Sequence, residues 1–92
     1  PPSMRQALMM HNGKATHEAA RVGPYEPMYR LLTGKTKNFA KAIELAYLEI
    51  LTRKPSADEL VEAEAVLGQA PLEGMADLRW ALLNSHEFRY LP

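Results

Sequence analysis

The sequence predicts an all-α fold: a compact bundle of five to six short helices around a central apolar helix, about residues 36–53. Three observations carry this expectation. Apolar residues recur at helical spacing along most of the chain, and sustained period-2 alternation is absent. Ser, Gly and Pro also fall where helices need caps and stops.

Each element follows in order. Ser3 can cap a first helix running to Met10 or His11, with Ala7, Leu8 and Met9 available for burial. Asn12-Gly13 lies between two helical patterns and reads as a stop and a turn. A second helix is expected from about Lys14 to Val22, ended by Gly23-Pro24. Pro24 and Pro27 stiffen the connection to a short helix, Met28 to Thr33, which ends at Gly34.

The fourth helix, about Thr36 to Arg53, has the clearest signal. Phe39, Ile43, Ala46 and Ile50 repeat at helical spacing, and Ala42, Leu45, Tyr47, Leu48 and Leu51 widen the apolar surface. A helix apolar nearly all round is expected at the centre of a bundle. Thr36 is read as its N-cap and Pro55 as its stop. In Ser-Ala-Asp-Glu-Leu, Ser56 and Glu59 have the spacing of a capping box, so a new helix starts there. Leu60, Ala63 and Leu67 should face inward and Asp58, Glu62 and Glu64 outward, with Gly68 and Pro71 breaking the chain. A last helix, about Leu72 to Asn84, should bury Met75, Leu78, Ala81 and Leu82, and Ser85 can cap a short final turn.

At 92 residues the chain is expected to form one helical domain, 1–92. Its 47% hydrophobic content is that of a globular protein rather than a disordered one. Eleven basic and eleven acidic side chains give zero net charge, which lacks the basic excess of a nucleic-acid module, so no nucleic-acid partner is expected. The charges are nevertheless segregated. Residues 21–41 carry five basic side chains against Glu26, whereas residues 42–77 carry Arg53 and Lys54 against eight acids. Either these faces attract one another within the fold, or the basic one meets an anionic partner.

With no cysteine, disulfides, thiolate metal sites and attached haem are excluded from this chain. No apolar run approaches the ~18 residues of a membrane span. The opening Pro1-Pro2-Ser3 reads as the start of a piece of a longer polypeptide.

Few residues suggest chemistry. His17-Glu18-Ala19-Ala20-Arg21 differs by one letter from the zinc-binding His-Glu-x-x-His, in which two imidazoles share a helix face. Arg21 occupies the second ligand position and has no lone pair to give, so no metal site is expected. His17, Glu18 and Arg21 read instead as a polar helix face, with Glu18 able to pair with Lys14 or Arg21. Ser3, Ser56 and Ser85 all have capping roles, and Gly34-Lys35-Thr36 lacks the rest of a phosphate loop. No catalytic residue and no cofactor are expected. Among the aromatics, Trp80, Phe88 and Tyr90 could form an exposed docking surface rather than core.

Three stretches together carry a resemblance: MRQALMMHNGKATHEAARVG, AIELAYLEILTRKPSADELVEA and DLRWALLNSHEFRYL. In this order and spacing they resemble the C-terminal domain of unknown function in large planctomycete secreted proteins, a family that accompanies cytochrome-c-like domains. The resemblance implies the C-terminal end of a secreted or cell-envelope protein and no established activity; with no catalytic motif in the residues, the expectation is a non-catalytic helical structural or interaction module. Its partners would be upstream domains of the same polypeptide or another envelope protein, and any haem would belong to another domain. An alternative is an accessory domain lending His17, Glu18, Arg21 or His86 to an active site built mainly upstream. The motif residues have shape roles of their own: Arg53 and Pro55 at a helix end, Ser56 and Glu59 in a capping box, Asn84 and Ser85 able to satisfy loose backbone groups at a helix end.

Overall fold

The computed structural model describes residues 20–85. The expected helix over residues 3–11, most of that over 14–22, the final turn after Ser85, and His17, Glu18, His86, Phe88 and Tyr90 lie outside the described residues. Within them the chain is all-helical and contains no strand: α1 Pro27–Thr33, α2 Phe39–Leu51, α3 Ala57–Gln69 and α4 Pro71–Leu83.

The chain enters through Ala20 and Val22, both buried, but Arg21 and Val22 are irregular backbone, so the second expected helix does not reach Val22. A turn follows in which Glu26 N–H donates to the Gly23 carbonyl at 3.1 Å and Gly23 N–H donates to Glu26 Oε2 at 2.7 Å. Pro27 then opens α1 at its first position, where the missing N–H costs nothing and the fixed φ suits a helix. Met28 and Leu32, four residues apart, form its buried edge.

α2 begins two residues later than expected. Asn38, not Thr36, is its N-cap: its side-chain oxygen accepts from Lys41 N–H at 3.0 Å. Asn38 is held there by its own N–H, which donates to the Leu31 carbonyl at 2.8 Å. The helix also ends before Pro55, because Thr52 adopts the left-handed conformation (φ 58°). That conformation is costly for a β-branched residue, so neighbouring contacts must hold it. α2 buries Ala42, Ile43, Ala46, Tyr47 and Leu51, with Phe39, Leu45 and Ile50 partly covered. It packs on all three other helices, but so does α4, and the centre of the described fold is shared between them.

α3 starts at the predicted capping box. Glu59 N–H donates to Ser56 Oγ at 3.2 Å, and Ser56 N–H donates to Glu59 Oε1 at 2.8 Å. Gly68 does not stop α3, which continues to Gln69; one residue, Ala70, in extended conformation ends it and begins α4. A single-residue link forces the two helices into a tight hairpin. Gly74 lies at their closest approach: a Cβ built there would sit 2.9 Å from the Val66 carbonyl oxygen and 3.1 Å from Leu67 Cα. Those are backbone atoms that cannot swing away, so only glycine lets α4 lie this close.

All four helices feed one core, whose fully buried large side chains are Leu32, Ile43, Tyr47, Leu67, Met75, Leu78 and Leu82. Each such side chain contributes roughly 1.5–3 kcal/mol through loss of contact with water. At the end of α4, Asn84 Nδ2 donates to the Trp80 carbonyl and Ser85 Oγ to the Leu82 carbonyl, both at 2.8 Å.

The two glycines of the hairpin should respond oppositely to alanine. Gly74→Ala must push the helices apart and should destabilise by about 1–2 kcal/mol, after allowing for the helix propensity gained. Gly68→Ala, with open space around the new methyl, should stabilise by about 0.5–1 kcal/mol. Urea unfolding of the two variants beside the wild type checks the pair.

Candidate functional site

Of the side chains singled out in the sequence as a polar face or a docking surface, only Arg21 and Trp80 lie among the described residues. Arg21 is exposed on irregular backbone rather than on a helix face. Trp80 is partly buried in α4. Gly34-Lys35-Thr36 is a connecting loop: Gly34 N–H donates to the Arg30 carbonyl at 3.3 Å as the end of α1. Among the described residues no three His, Asp or Glu side chains are grouped as metal ligands, and no helix is long and apolar enough to cross a membrane.

The motif Leu-Thr-Arg-Lys-Pro-Ser-Ala-Asp-Glu-Leu, residues 51–60, forms instead a polar corner between α2 and α3. The Arg53 guanidinium grips Glu59 with both prongs, Nη1 to Oε1 at 2.8 Å and Nη2 to Oε2 at 2.9 Å. Nη1 also donates to the Lys54 carbonyl at 3.0 Å. The same guanidinium lies 5.4 Å from the centroid of the fully buried Tyr47 ring, within cation–π range. Arg53 therefore ties the last turn of α2, the connecting loop and the first turn of α3 together. Its hydrogen bonds hold the Glu59 carboxyl below the usual carboxylate range; partial burial opposes this, and Ser56 N–H adds to it.

A second polar tie crosses the fold. Arg79 of α4 donates from Nη1 to Glu26 Oε1 at 2.9 Å, anchoring the turn before α1. Partial burial pushes the Glu26 carboxyl up, but the Gly23 N–H and Arg79 outweigh it and leave it below its ordinary value. The sole acid of the basic segment is thus engaged by Arg79 and the Gly23 N–H.

The charge segregation is consequently not cancelled within the described fold. Lys41 pairs with Glu44 at 3.6 Å, and Arg53 and Arg79 are engaged as above. Among the described residues no ion-pair partner approaches Arg21, Arg30 or Lys35 on one side, or Glu49, Asp58, Glu62 and Glu64 on the other. Lys37 and Glu73 line one open depression of ≈ 390 Å³ with Leu32, Pro71 and Leu72.

Sequence reasoning placed the docking surface on aromatics near the C-terminus and missed two other side chains. Tyr25, at the tip of the turn before α1, is 98% exposed, and Val61, mid-α3, is 66% exposed. Val61 carried a signal: at 100° per residue it lies between Asp58 and Glu64 on the arc away from Ala63 and Leu67. No protein-family model, curated protein or solved structure matches the chain, so the surface must be read from its own chemistry.

Both depressed carboxylates imply the same pH dependence. A carboxylate whose pKa falls on folding adds stability that is present above its unfolded value, about 4.3, and is lost as pH drops through the folded value. The melting temperature should therefore decline below that pH. Glu59→Gln should lower stability at pH 7 by about 1 kcal/mol, since a partly exposed but bidentate pair is removed, and should flatten the acid limb. Melting curves between pH 7 and pH 3 check both effects.

Proposed function

We propose that the chain is a non-catalytic helical structural and interaction module of a secreted or cell-envelope bacterial protein. Its partners in this reading are upstream domains of the same polypeptide or another envelope protein. The resemblance of its three motif stretches supports the location and the C-terminal placement. The proposal includes the larger bundle expected from sequence, with five to six helices around the apolar segment 36–53.

The observation that carries the interaction role is the outer face of α3. Val61 stands exposed with Ala57, Ala65 and Gly68 on the same arc, and Asp58, Glu62 and Glu64 border it. A small, smooth apolar strip inside a charged rim is how contact surfaces are commonly built. The motif residues support the same reading, since Arg53, Ser56, Glu59, Asn84 and Ser85 all serve local hydrogen bonding.

A photo-reactive benzophenone side chain at position 61 tests this in the native polypeptide in its own cells. Irradiation should give adducts to a neighbouring domain or another polypeptide at position 61. The same probe at the exposed Glu49 of α2 serves as the control. Adducts no stronger at 61 than at 49 would remove the basis for the reading.

A further inference from the structure

We infer that the acidic face of α3 docks the basic side of a second copy of this chain, so that copies associate head to tail. This rests on reading the α3 face as a contact surface, and it specifies the occupant. The chain carries both halves of the contact. One is an apolar centre, Val61, rimmed by Asp58, Glu62 and Glu64. The other is an apolar knob, Tyr25, which has Arg21 and Arg30 as its exposed basic neighbours in the chain.

Tyr25 is presented rigidly. Pro24 and Pro27 flank it, Gly23 and Glu26 exchange backbone and side-chain hydrogen bonds across it, and Arg79 fixes Glu26 from α4. A large ring already held in place loses little entropy on binding, which is why tyrosine serves as an interface anchor. Arg30 lies on the arc of α1 opposite Met28 and Leu32, hence on the outward side.

The arrangement in the fold dictates how copies would join. α1 and α3 scarcely touch, because α2 and α4 stand between them. The two surfaces therefore lie on different sides of the molecule and cannot satisfy each other within one chain. A contact between unlike surfaces is heterologous, and unless its rotation closes a ring it adds copies in a row. Zero net charge means that repulsion does not oppose the addition. The contact should weaken with salt, since the rims are exposed and screened beyond a Debye length of about 8–10 Å at physiological ionic strength.

Sedimentation velocity of the 92-residue chain tests the inference with two surface variants. In the first, Asp58→Asn, Val61→Ser, Glu62→Gln and Glu64→Gln neutralise the α3 face. In the second, Arg21→Gln, Tyr25→Ser and Arg30→Gln neutralise the α1 side. Wild-type chain at millimolar concentration and about 20 mM salt should show a weight-average mass at least roughly twofold above the 10.3 kDa monomer, returning to monomer near 0.5 M salt. Each variant alone should be monomeric, with unchanged helical circular dichroism.

An equimolar mixture should stop at a one-to-one dimer, because each variant keeps the surface that the other lacks. A monomeric wild type at low salt, self-association that survives in either variant, or a mixture that stays monomeric would each overturn the inference. The same holds if the benzophenone at position 61 captures only a different protein, which would leave the interaction reading itself intact.

Discussion

The guanidinium of Arg53 is the group on which the path of the chain most depends. It stacks over Tyr47, takes Glu59 in a bidentate grip and reaches the Lys54 carbonyl, so one side chain joins two helices and their connection. The connection needs such a tie. Thr52 sits in a left-handed conformation that a β-branched residue avoids, at a cost of about 1–2 kcal/mol. The capping box at Ser56 and Glu59 then sets where α3 begins, and because Glu59 belongs to both the box and the ion pair, the two devices reinforce each other.

From that corner the rest follows by close packing. α3 runs out and is returned at once through Ala70 into α4, whose Gly74 lets it lie against Val66 and Leu67. α4 then carries Arg79 to Glu26 and so fixes the turn that precedes α1. Two charge pairs, Arg53–Glu59 and Arg79–Glu26, are used in this way, while Arg21, Arg30 and Lys35 on one side and Glu49, Asp58 and Glu64 on the other are left exposed. The separation of α1 from α3 by the α2–α4 pair turns a segregation along the sequence into a segregation in space. That is the physical basis for reading the module as something that touches other surfaces.

Much of this was legible in the residues. Ser56 and Glu59 three apart declared the start of α3, whereas Pro27 and Pro71, read as a stiff connection and a chain break, in fact occupy the first positions of α1 and α4. Boundaries set by tertiary partners were not legible. Asn38 caps α2 in place of Thr36 because its backbone is bonded to Leu31, and Gly68 stays helical because what ends α3 is the reversal at Ala70. Arg21 left the expected helix where Gly23-Pro24 redirects the chain. The corner was half read: Arg53 and Glu59 were recognised as structural, but an ion pair six residues apart across a turn has no periodic signature. Val61 could have been found from the helical arc, whereas the Glu26–Arg79 tie, 53 residues apart, could not.

Arg53 and Glu59 act as one unit at this corner, and a double-mutant cycle with Arg53→Met and Glu59→Gln measures that directly. Urea unfolding of the wild type, both single variants and the double variant should give a coupling energy of about 1 kcal/mol or more, as expected for residues sharing one network. A coupling indistinguishable from zero would mean that the corner is held by packing alone, and the ordering of the fold around Arg53 would be wrong.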